Sequence, residues 1–205
     1  MNLHYGCGLE AAADWLNYDA SPTLRLQRLP VVGVVLSRFL SPRFPKPIQY
    51  GDIVRGISIP SESCDAIYCS HVLEHLSLED LRVALRNTFT YLKAEGTFRL
   101  VLPDFEQQVA AYQSNPDAMA ISNFMGYTFL GRKARPRGFV MFLKEYWGND
   151  HHLWAWDYKG LAHELQEAGF RGLRRCACGD ARNPIFSKVE NPERFKGALA
   201  IECTK

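Results

Sequence analysis

The fold class is decided by DAIYCSHVLEHLSLEDLRVALRNTFTYLKAEGTFRLVL, residues 65–102 of this 205-residue chain. Short apolar runs at residues 65–69 and 97–102 have the length and composition of buried strands. Between them Ser77 can cap a helix, because an acidic residue follows three positions later. Apolar residues then recur on one face of that helix: Leu81, Leu85, Phe89 and Leu92. A strand, a helix and a strand joined by short links predict a parallel pair with a right-handed crossover.

Further elements are predicted on both sides of this unit. Before it, three more strands are predicted at residues 2–6, 15–18 and 48–50. After it comes an amphipathic helix that Asp157 can cap and Gly169 can end. Two final apolar runs predict an antiparallel pair, at residues 170–177 and 198–203. We therefore expect a single α/β domain built on a doubly wound, mostly parallel sheet with an antiparallel C-terminal edge hairpin.

Composition and charge exclude several classes of protein. Hydrophobic residues make up 47% and charged residues 22%, which excludes disorder, collagen and coiled coil. The net charge of +2 is too balanced to indicate a nucleic-acid partner. No apolar run reaches the roughly 18 residues of a membrane span, and the N-terminus lacks a signal-peptide pattern. Six cysteines without a C-x-x-C pair fit a reducing compartment, so we expect a cytoplasmic protein.

Two segments lie outside the predicted sheet and follow the carboxyl ends of strands, where open α/β sheets bind ligands. Residues 20–51 hold five basic residues, no acidic one and the apolar stretch 31–36. They would form a lid, a homodimer surface, a membrane-surface helix or an ordinary helix covering the sheet. Residues 104–156 are long and aromatic, so we expect a cap insertion there. Its basic run 132–137 would be a solvated loop or a binding site for a phosphate or an anionic sugar.

A glycine turn and two acidic residues predict a nucleoside pocket at this edge. Gly6 and Gly8 flank Cys7 after the first strand, where they let backbone N–H groups approach a ligand. Asp19 ends the second strand and can accept both hydroxyls of a ribose. Asp52 ends the third strand and can accept from an adenine amino group. The spacing suits an adenosyl group better than a dinucleotide, and the alternative for each acid is a turn cap.

Six segments resemble the class I S-adenosylmethionine-dependent methyltransferases, in particular the small predicted methyltransferases of that class. They are LHYGCG (3–8), WLNYD (15–19), GDI (51–53), IPSESCDAIYCSHVLEHL (59–76), FRLVLPDFE (98–106) and LAHELQEAGF (161–170). The resemblance implies a Rossmann-like fold and an enzyme that uses S-adenosylmethionine as its cofactor. The chain departs from the family pattern at Glu10, where many relatives have a third glycine, and in its nearly absent first helix.

The resemblance also assigns residues to the cofactor: Gly6, Cys7, Gly8, Asp19, Asp52, Ile53, Ser70 and His71. The glycine turn would pass under the methionine moiety, and the first acid would bind the ribose. The second acid and the isoleucine after it would flank the adenine. The serine and histidine after the fourth strand would contact the methionyl or sulfonium side.

Candidate catalytic residues lie in the cap insertion. His151 and His152 belong to an aromatic cluster, where a histidine could act as a general base or bond to backbone in a structural cap. Asp104 follows the fifth strand and could orient an acceptor hydroxyl or cap the next helix. Residues 71–75 also spell the zinc-protease motif H-x-x-E-H, but no third ligand is evident, so we predict no metal.

These patterns predict methyl transfer from S-adenosylmethionine to a small-molecule acceptor, at a hydroxyl, an amine or a carbon. A sugar-linked or lipid-linked substrate fits this expectation. A base is needed only where the acceptor must lose a proton. The alternative is a methyltransferase-like binding or scaffold protein without turnover.

Overall fold

The computed structural model describes residues 1–30, 33, 38, 40–131 and 151–205, and these form one seven-stranded sheet. In chain order the strands are β1 (Asn2–Tyr5), β2 (Leu16–Asp19), β3 (Ile48–Tyr50), β4 (Cys64–Ser70), β5 (Leu92–Pro103), β6 (Arg171–Arg175) and β7 (Ala198–Thr204). Across the sheet the order is β3-β2-β1-β4-β5-β7-β6. Every predicted apolar run overlaps one of these strands.

The sheet is parallel from β3 to β5 and antiparallel at its C-terminal edge. β1 pairs in parallel with both β2 and β4, so that His4 lies between Asn17 and Tyr68. β7 runs antiparallel to β5 and to β6. These pairings confirm the predicted doubly wound sheet. The strand order reverses between β1 and β4, so their carboxyl ends flank the crevice where such sheets bind ligands.

Helices α2 and α5 begin where the sequence predicted caps. Those described are α1 (Pro22–Gln27), α2 (Leu78–Tyr91), α3 (Phe105–Ser114), α4 (Ala120–Tyr127) and α5 (Tyr158–Glu167), with short 3₁₀ helices at Leu73–His75, Pro184–Lys188 and Pro192–Phe195. Ser77 Oγ accepts the Asp80 N–H at 3.2 Å before α2. The Asp157 carboxylate accepts the Gly160 N–H at 2.7 Å before α5. Both predicted caps are therefore confirmed, and each satisfies a backbone donor that the helix leaves open.

The main core lies between one face of the sheet and helices α2 and α5. Leu81 and Leu85 of α2 and Leu161 and Leu165 of α5 are fully buried, as the helical spacing predicts. They form one cluster with sheet side chains such as Phe98. Burying each leucine contributes roughly 1.5–3 kcal/mol to the free energy of folding.

The opposite face of the sheet is covered in a different way. Residues 6–15, all of them described, pass from β1 to β2 in turns and bends without a helix. The segment between β6 and β7 covers this face instead. Its Phe186 is fully buried against the rings of Trp15 and Tyr68, at centroid distances of 5.7 and 6.3 Å. The C-terminal segment therefore fills the place that the short β1–β2 link leaves open.

A buried ion-pair network holds that segment to the sheet. The guanidinium of Arg99 on β5 is fully buried and is paired with Glu190 of the segment. Glu202 and Asp180 lie 3.0 and 2.9 Å from other nitrogens of the same guanidinium. Several carboxylates around one guanidinium offset the cost of removing these charges from water.

The two segments outside the sheet are described in part. The Phe105 N–H bonds to the Trp156 carbonyl at 3.0 Å, so the two ends of the predicted cap insertion meet. Residues 132–150 of the insertion, which include its basic run, lie outside the described residues. The apolar stretch 31–36, apart from Gly33, also lies outside the described residues. Its membrane-surface or dimer role stays a prediction. No described helix is long and apolar enough to cross a membrane.

Candidate active site

The glycine turn after β1 forms an open cradle at the carboxyl edge of the sheet. Gly6 and Gly8 have φ angles of +65° and +58°, in the left-handed region that favours glycine. A Cβ on Gly6 would lie 2.1 Å from Cγ2 of Val72, so the turn packs closely against the loop after β4. A Cβ on Gly8 would meet no described atom within 4 Å. The backbone at Gly8 is therefore open to a ligand.

Asp19, at the end of β2, fixes the shape of this turn. One carboxylate oxygen accepts the Gly8 N–H at 2.9 Å, and the other accepts the Ser21 N–H at 2.8 Å. The Cys7 N–H bonds to the Tyr18 carbonyl at 3.1 Å and joins the turn to β2. A carboxylate has about four acceptor positions, so Asp19 keeps capacity for the hydroxyls of a ribose. Asp19 thus combines the role of a turn cap with that of a candidate ligand.

Cys7 contributes packing and backbone to the turn. Its side chain is buried in a small cluster with Leu24 and Ile48. Burial, with a smaller effect from the Asp19 charge, raises the pKa of the Cys7 thiol to about 12. The thiol therefore stays protonated near neutral pH and is a poor nucleophile.

Asp52 and Ile53 follow β3 and differ in exposure. Asp52 is half-buried, and its carboxylate accepts the Val54 N–H at 2.9 Å and lies 3.5 Å from Arg55 Nε. Ile53 is 5% exposed and belongs to the main core. The Asp52 carboxylate is partly exposed, and the predicted contacts of Asp52 and Ile53 with adenine stay predictions.

Ser70 and His71 lie at the end of β4, beside the glycine turn. Ser70 is buried, and its carbonyl accepts a hydrogen bond from Arg194 at 3.3 Å. Nε2 of His71 donates to the Arg194 carbonyl at 2.9 Å, and Nδ1 lies 3.2 Å from Glu74 Oε1. Burial lowers the pKa of His71, but the nearby Glu74 carboxylate and the hydrogen bond to the Arg194 carbonyl outweigh it and raise the pKa overall. The predicted contacts of Ser70 and His71 with the sulfonium side stay predictions.

A cluster of histidines surrounds Glu74 in the loop after β4. The backbone carbonyl of Glu74 accepts the Trp154 N–H at 3.2 Å. His75 donates from Nδ1 to the His151 carbonyl at 3.0 Å, and the rings of His75 and His152 lie 4.9 Å apart. The structure therefore brings the end of the cap insertion against the loop after β4. His151 and His152, predicted as catalytic candidates, both contact the residues of the H-x-x-E-H motif.

The side chain of His152 is 11% exposed and packs against the Glu74 loop. Its Nε2 lies 4.0 Å from Glu74 Oε1, and its ring packs on Phe129 at a centroid distance of 4.8 Å. Burial is the main cause that lowers the pKa of His152. Its imidazole is therefore mostly neutral near pH 7 and can accept a proton or bind a metal.

Asp104 has the capping role that the sequence left open. One oxygen accepts the N–H groups of Glu106 and Gln107 at 3.1 and 3.4 Å, at the start of α3. The other oxygen lies 3.2 Å from Arg175 Nη1. Both oxygens are therefore engaged, one by the start of α3 and the other by Arg175. The role of Asp104 toward an acceptor stays a prediction.

Comparison with known proteins identifies the family of the chain. A family described as "Methyltransferase domain" matches residues 3–174. The chain belongs to this methyltransferase family. Among curated proteins, no sequence matches it.

Solved structures share the fold of this methyltransferase at low sequence identity. An S-adenosylmethionine-dependent methyltransferase from Archaeoglobus fulgidus is 16% identical over 100% of this chain and 85% of its own, with a TM-score of 0.51. A possible histamine N-methyltransferase from Thermotoga maritima is 10% identical over 100% and 81%, with a TM-score of 0.52. PigF with S-adenosylhomocysteine is 16% identical over 100% and 50%, with a TM-score of 0.50. The family match and the fold confirm the predicted class I methyltransferase, an enzyme with S-adenosylmethionine as cofactor.

Two features of the methyltransferase site were not predicted from the sequence. Glu74 and His75 were noted only as part of the H-x-x-E-H motif, although that motif is the signal that could have identified them. Arg194 contacts the backbone of Ser70 and the ring of His71 from 124 and 123 residues away along the chain. No local pattern of residues carries a signal for a contact at that separation.

Proposed function

We propose that this methyltransferase transfers a methyl group from S-adenosylmethionine to a small-molecule acceptor. The observation that carries the proposal is the open glycine turn after β1, which Asp19 holds in place. The open space at Gly8 suits the methionine part of the cofactor, and the spare acceptor positions of Asp19 suit its ribose. Asp52, at the end of β3, would accept from the adenine amino group.

The cofactor side and the histidine cluster are neighbours in the fold. Val72 packs directly over Gly6, and Glu74 follows Val72 by two residues. S-adenosylmethionine supplies an already activated methyl group when bound, so the chain mainly has to bind and orient the acceptor. An acceptor between the glycine turn and the histidine cluster would meet both requirements.

The acceptor would contact the cap insertion. Phe129 and Trp154 are 51% and 42% exposed and can cover an apolar part of a small molecule. His152, with its lowered pKa, would accept a proton from an acceptor hydroxyl or amine. His151 would position the acceptor beside it. Asp104 would act indirectly, because it caps α3 and so fixes the position where this helix starts.

The proposal is tested with S-adenosylmethionine that carries a labelled methyl group and a protein-free extract of small molecules. We expect the label to move to a small molecule and S-adenosylhomocysteine to form in equal amount. Since one methyl group leaves each cofactor, the two products must match. Cofactor binding without transfer to any fraction would contradict the proposal and favour the scaffold alternative.

A further inference from the structure

We propose that Glu74, His75 and His152 form a binding site for a divalent transition-metal ion, with Zn²⁺ as the best match. Their candidate ligand atoms all lie within 4.8 Å of one another. Imidazole nitrogens and a carboxylate oxygen are common zinc ligands, and three protein ligands leave a fourth position open. Ligands about 2.1 Å from a tetrahedral ion lie roughly 3.4 Å apart, so side-chain movements of about 1 Å complete the site.

The carboxylate of Glu74 supplies the first independent observation. Glu74 is 2% exposed, and neither of its side-chain oxygens has a hydrogen-bond partner in the part of the chain that the structure describes. Imidazole nitrogens of His71 and His152 lie 3.2 and 4.0 Å from its Oε1. A buried carboxylate is costly unless it is paired or coordinates a metal. A cation between Glu74 and the imidazoles would remove that cost.

The orientation of the two histidine ligands supplies the second observation. Nδ1 of His75 donates to the His151 carbonyl at 3.0 Å, which leaves Nε2 as its remaining ligand atom. For His152, Nε2 faces Glu74, 4.0 Å from Oε1. Metal-binding histidines characteristically donate their other ring N–H to a backbone carbonyl or a carboxylate. The His75 ring is thus held as metal ligands are held, and the His152 ring directs a nitrogen toward the same carboxylate.

This site differs from the one that the H-x-x-E-H motif suggests. That motif places its two histidines on one face of an α-helix, but residues 73–75 form a 3₁₀ helix. The third ligand is His152, which the sequence does not connect with Glu74 and His75. The prediction of no metal rested on the lack of a third ligand, and the present proposal departs from it.

The chemical role of the ion would depend on the proposed function, whereas its binding would not. Within that function, the open coordination position would take an oxygen of the acceptor. A bound Zn²⁺ lowers the pKa of a coordinated oxygen group, so the ion would favour a hydroxyl over an amine or carbon acceptor. His152 would then serve as a ligand while the ion activates the hydroxyl.

The experiment is a calorimetric titration of the chelator-treated, dialysed full chain with ZnCl₂ alone. We expect one Zn²⁺ per chain, and Mg²⁺ alone to bind far more weakly because imidazole ligands disfavour it. His75→Ala, His152→Ala and Glu74→Gln should each weaken Zn²⁺ binding about 100-fold or more. The matched control is His163→Ala, an exposed histidine of α5, which should bind as the wild type does.

If a variant fails to fold, cobalt spectroscopy of the wild type still tests the proposed metal site. Co²⁺ in this site should show tetrahedral absorption without a thiolate charge-transfer band, because its ligands are nitrogen and oxygen. A folded wild type that binds no Zn²⁺ would overturn the proposal, as would a thiolate band or unchanged binding in His75→Ala and His152→Ala. Cofactor binding measured on the same sample separates this proposal from the proposed function, since either can fail while the other stands.

Discussion

Two carboxylates at the same edge of the sheet have opposite surroundings. Asp19 is half-buried, and each of its oxygens accepts a backbone N–H. Glu74 is buried, and its oxygens have no hydrogen-bond partner among the residues described. The local backbone fixes the position of the Asp19 carboxylate. The Glu74 carboxylate instead faces imidazole side chains, one on its own loop and one in the cap insertion. The comparison indicates that the proposed cofactor side is preformed, whereas the proposed acceptor side would need a bound group to balance the charge of Glu74.

A third carboxylate site, around Arg99, gives the largest expected effect on stability. Glu190 and Glu202 resemble Glu74 in burial, but both are paired with Arg99. Arg99→Met would leave the Glu190 side chain buried without its cation, while Glu202 would keep only its contacts with Arg174 and Arg182 among the described residues. We therefore expect the free energy of unfolding to fall by about 3–5 kcal/mol. Urea unfolding measures this change. Arg171→Met, at an exposed arginine of β6, is the control. A loss of stability below about 1 kcal/mol in Arg99→Met would show that the buried carboxylates do not need their ion pairs with Arg99.

His4 tests the cost of burial for a group without a partner charge. Burial, with a smaller effect from Arg194, lowers the pKa of His4 from 6.5 to about 4. Between these values the unfolded chain binds the proton and the folded chain does not, so stability falls as the pH drops from 6.5 to 4. The full loss is about 3 kcal/mol.

His4→Phe removes this titration and keeps an aromatic ring against Trp15 and Tyr68. Unfolding free energies at pH 7 and pH 4 should show that the wild type loses about 3 kcal/mol more than the variant. His163→Phe, at an exposed histidine, should lose as much as the wild type. Equal losses in His4→Phe and the wild type would show that His4 is not held neutral.

Asp19→Ala measures the contribution of the preformed carboxylate. Loss of the ribose hydrogen bonds and of the support for Gly8 should weaken S-adenosylmethionine binding by about 2 kcal/mol, or roughly 30-fold. Calorimetry measures the affinity, and Asp14→Ala, at an exposed aspartate paired with Lys188, is the control. Unchanged affinity in a folded Asp19→Ala would remove Asp19 from the cofactor site.

Glu74→Gln gives the smallest expected effect and reports on the interaction between this buried carboxylate and His71. Burial lowers the pKa of His71, and the Glu74 carboxylate, 3.2 Å from Nδ1, is the largest of the causes that raise it. Removing the carboxylate charge should therefore lower the pKa of His71, which an NMR titration of the imidazole protons measures. Glu79→Gln, at an exposed position of α2, should leave it unchanged. A His71 pKa that stays the same in Glu74→Gln would show that the two groups do not interact.

The difference between the two carboxylates also explains what the sequence could predict. Asp19 stands at the end of a short apolar run, and the glycine turn lies a few residues before it, so both follow from local patterns. The caps at Ser77 and Asp157 are local in the same sense. The grouping of Glu74 with His152, and of Arg99 with Glu190, joins residues far apart along the chain. Such pairs depend on the packing of the whole sheet, which periodicity and spacing do not encode.

The central claim is that the glycine turn after β1 binds S-adenosylmethionine, and one calorimetric comparison tests it most directly. Gly8 and Gly179 both have positive φ, and a Cβ on either would meet no described atom within 4 Å. Gly8→Val and Gly179→Val should therefore strain the backbone to a similar extent. We predict one cofactor site in the wild type and in Gly179→Val, and at least about 100-fold weaker binding in Gly8→Val, because its side chain fills the cradle. Wild-type affinity in Gly8→Val, or no binding to the folded wild type, would contradict the claim.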